Sequence, residues 1–349
     1  MFSKNQINTF KSKAFGKFKE QVNAMDHALL ELSVKIKPDE DIMKESSSYA
    51  QKIAEILKVK SVYKIDRFFF AGSFGKRTNT IQSDVDCVYF INGHMPPFEE
   101  ILREFYDICN APSVKKSFNS FEINLNKKSI NFEINGLEMD VVLATNFAMG
   151  YKKHRSKRHY QQMGVLEQIK LNPAENCYQY SSALAEATLF FMKSRVSFAN
   201  EMARIAKYWF QSIGRDFHIS GASTFIELVA VYAARKGRRG NRKNAPHLKA
   251  FIRFLEELMD FEKLDITFNS FSAIFKNHKL ADYKLPRVID PVNPYHNFAG
   301  YWCDKVDDIE ALKRSAAFTM ERIQQLVLNQ RATDVEDLVK SLLYQPNRV

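Results

Sequence analysis

The stretch "FFFAGSFGKRTNTIQSDVDCVYF", Phe68 to Phe90, holds two apolar runs that read as strands. Between them lie a Gly-Ser pair, two cations and, ten residues on, two aspartates one residue apart. Side chains on a strand alternate faces, so Asp84 and Asp86 point one way while Val85 and Cys87 point the other, toward a core. Two carboxylates about 7 Å apart on an apolar strand repel each other and are costly to desolvate. A polar sheet face or a divalent cation would relieve that strain. Gly72-Ser73 is suited to phosphate: glycine lets the backbone approach an anion, and the residues after it can open a helix whose N–H groups favour negative charge.

A third carboxylate belongs with this pair. In "LEMDVVLA", Leu137, Met139, Val141 and Leu143 share one strand face and Asp140 interrupts the other. Three aspartates on neighbouring strands make a site for two Mg²⁺ ions, with Mn²⁺ able to substitute. A lone Gly-Ser or a lone Asp-x-Asp is common. The specific signal is their order: strand, Gly-Ser, Asp-Val-Asp in a second strand, then a third-strand aspartate about fifty residues later.

The flanking sequence fits an α+β front half and a helical back half. The first 35 residues have helical spacing at Ile7, Phe10, Val22, Met25, Leu29 and Leu32, and "SSSYAQKIAEILKVK" reads as a second helix with Ser46 to Ser48 as candidate caps. Further strands are expected at "FEINL" from Phe121, "SINFEING" from Ser129 and "EMDVVLA" from Glu138, with Asn135-Gly136 as a hairpin turn. Helices are expected at 183–193, 197–212, 224–235, 247–258 and 307–328. The charged tracts 152–158 and 235–243 read as exposed loops. The expected division is 1–182 and 183–349.

The chain has 349 residues and a net charge of +11, which favours a polyanionic partner. Cys87, Cys109, Cys177 and Cys303 form no CxxC and no zinc spacing, and read as small buried thiols of a reduced chain. No run of about 18 apolar residues suggests a membrane span. A cytoplasmic location, or cytoplasmic and nuclear, is the expectation.

"GSFGKRTNTIQSDVDCVYF" resembles the signature of the oligoadenylate synthetases, GS-x-GK-x-T followed by SDxDxVxF. That family and the related cyclic GMP-AMP synthase-like receptors share the nucleotidyltransferase fold of DNA polymerase beta and poly(A) polymerases. "FEINGLEMDVVLA" is similar to its third-carboxylate strand, "ARIAKYWFQ" (203–211) to its spine helix, "FIELVAVYAARKG" (225–237) to the next helix and "LPRVIDPVNPYHNFAGYW" (285–302) to its late DPxxPxxN segment. The resemblance spans roughly 45 to 330. It implies a bilobal nucleotidyltransferase fold, a polymerase beta-like mixed sheet plus a helical C-terminal lobe. It implies that Asp84, Asp86 and Asp140 bind metal and catalyse, that Gly72 and Ser73 hold the triphosphate of ATP, with GTP as an alternative, and that Lys207 neutralises it. Lys76 would lie near the acceptor, and Ser223 and Thr224 would line the base pocket. Thr224 stands where the family has Tyr, and Arg77 where it has Gly. Read alone, Lys207 is a solvated helix cation, Tyr208 to Phe210 core, Asp290 a turn residue and Glu227 a buried hydrogen-bonding group.

The resemblance also implies a double-stranded RNA activator, lying across the face opposite the active site. Candidate contacts are Lys13, Lys17, Lys152, Lys153, Arg155, Lys193 and Arg195. Duplex RNA is read by shape, so scattered cations suffice. The leading expectation is an RNA-activated enzyme, a monomer, that polymerises ATP into 2′–5′ oligoadenylates in antiviral signalling. The alternatives are a receptor making a cyclic dinucleotide, an RNA-tailing enzyme, and a catalytically inactive RNA-binding scaffold.

Overall fold

A computed structural model describes residues 19–81, 83–93, 96–151, 154–171, 180–213, 217, 219, 221–237, 246–268 and 283–328. Two helices, α1 (Lys19–Lys35) and α2 (Glu40–Lys60), precede strand β1 (Ile65–Phe70), the short helix α3 (Gly72–Lys76) and strand β2 (Val85–Ile91). Helices α4 (Phe98–Asn110) and α5 (Pro112–Lys115) lead to three strands, β3 (Phe121–Leu125), β4 (Ser129–Ile134) and β5 (Leu137–Thr145). They form one mixed sheet in the order β1-β2-β5-β4-β3, in which only β2 and β5 pair in parallel. Asn135 and Gly136 turn β4 into β5 with φ of 53° and 78°, the positive values a tight hairpin needs.

The two faces of this sheet have different neighbours. Val85, Cys87, Tyr89 and Ile91 point into an apolar cluster with Met139, Val141, α2 and α4. The alternate residues Val88 and Phe90 belong to a second cluster, shared with the helices that follow. These are α6 (His154–Leu171), α7 (Ala185–Lys193), α8 (Ser197–Ser212), α9 (Ala222–Gly237), α10 (Pro246–Met259) and α11 (Val306–Leu328). Within this half lies a small three-stranded sheet of β6 (Asp265–Ile266), β7 (Arg287–Asp290) and β8 (Asn293–Asn297). Helix α1 packs on α8, α10 and α11, through Val22, Met25, Leu29 and Leu32. No helix among the described residues is long and apolar enough to cross a membrane.

Several expectations need correcting. Ser46 to Ser48 lie inside α2; Asp39 caps it by accepting from the Asp41 amide at 2.7 Å, and the Ser46 and Ser47 hydroxyls bond back to the Ile42 and Met43 carbonyls. The tract 152–158 is not all loop, because α6 starts at His154, and 235–237 closes α9. The back half is not purely helical, because β7 and β8 form a hairpin across Asp290–Asn293. Cys87 and Cys109 are buried but Cys303 is exposed, and Cys177 lies outside the described residues.

Candidate active site

Asp86 and Asp140 are directly opposite each other on the parallel pair β2 and β5, and Asp84 immediately precedes β2 rather than lying within it. Among the described residues, Asp84, Asp86 and Asp140 are the one group of acidic, His or Cys side chains that could hold a metal ion, with ligand oxygens all within 4.8 Å of one another. Burial pushes the Asp86 carboxyl up to about 6, with the charges of Asp84 and Asp140 adding to it. Burial also raises Asp140, and the hydrogen bond from Asn131 opposes that rise. This is excess negative charge in a partly dry place. Hard oxygen donors so spaced suit Mg²⁺ or Mn²⁺, and the donor set fits such ions.

The Gly-Ser segment is pressed against Asp86. Gly72 has φ of +49°, and a Cβ there would sit 1.5 Å from Asp86 Oδ2. The Ala71 amide donates to the Asp86 carbonyl at 2.8 Å, which ties the start of α3 to β2. Ser73 is buried in the first turn of α3. The helix stops at Arg77, whose φ of 64° is left-handed. Glycine is the usual residue in that conformation, so the Arg-for-Gly departure sits where a side chain costs about 1 kcal/mol.

The cations come from both halves of the chain. Lys76 donates to Glu227 of α9, and so does the Thr78 hydroxyl. Lys207 of α8 is buried, 8% exposed, so it is not a solvated helix cation. Burial lowers its pKa, and the carboxylates Glu227, Asp84 and Asp86 favour its charge. Burial alone would raise Glu227, but Lys76 and Lys207 outweigh it and hold it low. Glu227 therefore joins the segment that follows β1 to the helical half, a bond invisible in the sequence because its partners are about 150 residues away. Trp209 is core and donates to Thr319 at 2.9 Å, and Asp290 accepts from the Val292 amide as a turn residue.

Two cavities open here. One, about 510 Å³, is lined by Gly72, Lys76, Asp86, Val142, Ser182 and Thr188, and reaches Lys127 and Lys128 at the β3–β4 turn. The other, about 290 Å³, shares Lys76 and Thr188 and is lined by Thr224, Glu227, Asn293, His296 and Tyr301. Thr224 thus lines the cavity that adjoins the one containing Asp86, whereas Ser223 is exposed and lines neither. Lys193 and Arg195 line a separate groove of about 670 Å³ with Lys37, Lys44, Arg77 and Arg204. The Arg195 guanidinium is already engaged, bonding the Phe191 carbonyl at 3.2 Å and stacking on the Phe191 ring. Lys13, Lys17, Lys152 and Lys153 lie outside the described residues, as does the side chain of Arg155.

No protein-family model matches the chain. Solved structures do. CdnC of E. coli MS115-1, determined with ATP, matches with a TM-score of 0.59 over 93% of this chain and 97% of that one, at 15% identity. A cytoplasmic RNA terminal U-transferase gives 0.57 over 93% and 99%, at 11% identity. The CD-NTase CdnG of Bradyrhizobium diazoefficiens, in complex with GTP, gives 0.56 over 90% and 98%, at 11% identity. At such identities the likeness speaks to the fold: this chain has the α+β, polymerase beta-like nucleotidyltransferase fold.

Proposed function

We propose that the protein is a divalent-metal-dependent nucleotidyltransferase that joins ribonucleoside triphosphates, ATP first, into a short oligonucleotide with release of pyrophosphate. The observation that carries this is the convergence of Asp84, Asp86 and Asp140 within 4.8 Å, with Gly72 against Asp86. The acceptor hydroxyl attacks the α-phosphorus, an O–P bond forms, and the bond to the β-phosphate oxygen breaks. Asp84, Asp86 and Asp140 would hold Mg²⁺, which supplies charge neutralisation to the hydroxyl and to the leaving pyrophosphate. Ser73 and the α3 amides bind the triphosphate, and Lys207 offsets its charge. Asp140 lies beside the acceptor and takes up its proton. Lys76, committed to Glu227, holds the loop in place at the junction of the two cavities.

The product we favour is a 2′–5′ linked oligoadenylate made in response to double-stranded RNA. The basic groove around Arg204 and the net charge of +11 support an RNA activator. A cyclic dinucleotide is the second reading, and the likeness to CdnC and CdnG favours it. One incubation separates them: purified protein, radiolabelled ATP with or without GTP, Mg²⁺ or Mn²⁺, and duplex RNA, single-stranded RNA or duplex DNA. A ladder cut only by a 2′–5′-specific nuclease supports the first reading. A phosphatase-resistant product without free ends supports the second. No nucleotide incorporation under any condition rejects both.

A further inference from the structure

Strand β4 alternates strictly: Ile130, Phe132 and Ile134 are buried in the core beneath the sheet, which turns Ser129, Asn131 and Glu133 to the other face. On that face Asn131 lies directly opposite Asp140, which lies directly opposite Asp86. The Asn131 side-chain amide donates to Asp140 Oδ1, and its own Oδ1 accepts from the Asn126 amide. The carboxylate can only accept, so it obliges Asn131 to present its NH₂ end, and Asn126 must then donate to the oxygen left behind. Asn126 sits in the β3–β4 turn, closed by its own backbone N–H on the Ser129 carbonyl at 2.8 Å. The next two residues, Lys127 and Lys128, line the cavity that contains Asp86.

We propose that Asn131 is a positioning residue for Asp140, and that Asn126 sets the direction of the Asn131 amide. With Oδ1 of Asp140 held, its second oxygen is fixed for the metal and the acceptor. The inference rests on the carboxylates being metal ligands, as read above. Partners of ligating groups typically contribute 10- to 100-fold to metal affinity or activity. The exposed Asn126 makes a sharp probe. Asn126→Asp is nearly isosteric, but it cannot donate, so it favours a flipped Asn131 amide that turns its oxygen on Asp140.

The test is Mn²⁺ binding to the intact protein, followed by the paramagnetic resonance signal of the free ion. Asn131→Ala and Asn126→Asp are each expected to weaken binding by about tenfold or more. The double variant is expected to be no weaker than Asn131→Ala alone, because both act through one amide. In steady-state kinetics, kcat falls and KM for ATP holds. Asn126→Asp binding within twofold of wild type overturns the proposal, and so do additive single effects. Should Asn131→Ala fail to fold, Asn126→Asp alone decides by the same twofold limit. Asp86→Asn is the control: Mn²⁺ binding untouched by that change removes the metal reading itself, and this inference with it.

Discussion

The cleft around Asp86 and the groove around Arg204 are reached from the same short segment, which gives Gly72 and Lys76 to the cleft and Arg77 and Asn79 to the groove. In the cleft, Lys76, Lys207 and Glu227 are buried: Lys76 and the Thr78 hydroxyl donate to Glu227, and the charges of Glu227, Asp84 and Asp86 favour the charge of Lys207. In the groove, Lys37, Lys44, Arg77 and Lys193 are exposed. Several groove cations already have partners. Lys44 pairs with Asp41 at 3.0 Å, and Arg204 donates to the Arg77 carbonyl at 2.8 Å. A buried, mutually bonded charge acts through geometry, so one substitution there should be decisive. An exposed charge is screened, so its effect should be small and dependent on salt.

The largest effect belongs to the carboxylates. Asp86→Asn should lower nucleotidyl transfer by roughly 10³-fold, the scale of groups that act on transition-state charge. The fold should keep or gain stability, because the change removes a charge that burial, Asp84 and Asp140 all disfavour. A folded Asp86→Asn protein with wild-type turnover would falsify the metal reading. A cleft in which this substitution cost stability instead would erase the contrast with the groove.

Glu227→Gln comes next, and is read in stability. It leaves Lys76 buried without its carboxylate, a loss on the order of 3–5 kcal/mol. Denaturant unfolding measures it, and a change under about 1 kcal/mol would mean that the cleft is wetter than its geometry implies. Glu227→Gln with Lys76→Met should recover much of the loss, because Lys76 is then no longer an unpaired buried charge and Lys207 keeps the favourable charges of Asp84 and Asp86.

His247 is intermediate between the two regions. Burial would lower its pKa, but Asp26 and Glu201 raise it to about 9. Its Nε2 lies 3.1 Å from Glu201, a groove residue, and its Nδ1 lies 3.7 Å from Asp26 on α1. The folded pKa stands above the ordinary 6.5, so the stabilisation is complete below about pH 6.5 and disappears as pH rises through about 9. The expected size is on the order of 3 kcal/mol. The stability gap between wild type and His247→Gln should therefore close between pH 6.5 and 9.5. A gap constant across that range would show that His247 is not charged in the folded protein.

The same contrast explains what could be read in the sequence. Asp140 was legible because a carboxylate in an apolar strand stands out against a period of two, and Gly72 because it precedes that pattern at a fixed offset. Helix α8, Ser197–Ser212, was legible to the residue from its periodicity. Asn131 and Thr78 were not, because their partners are set by strand register and by contact between the halves of the chain. Ser46 to Ser48 misled because serine signals a cap only where the preceding residues leave the helix, and here Pro38-Asp39 had already done so. Helix α6 was hidden by the charges of its first turn, its apolar stripe beginning only at Val165, Leu166 and Ile169. The β7–β8 hairpin was masked by Pro291 and Pro294, which argue against strands except at edges and turns.

The smallest single-site effects are expected in the groove, where charge reversal sharpens the comparison. Lys193 is exposed, while Arg195 is half-buried and held by Phe191 and Ser194. Lys193→Glu should lower duplex-RNA-stimulated turnover only several-fold at physiological salt, and Lys193→Glu with Arg195→Glu somewhat more. Phosphate contacts release counterions, so each lost contact should flatten the dependence of log affinity on log salt by about one unit. Single-stranded RNA should stimulate poorly, because only the A-form duplex holds phosphates at a fixed spacing across its groove. Stimulation should also vanish at high salt before unstimulated transfer does, since the buried charges of the cleft are screened far less. Equal stimulation by duplex DNA, or full activity with no nucleic acid, would reject the groove as an RNA site. Neither result would touch the aspartates, and that independence is the difference between the two regions.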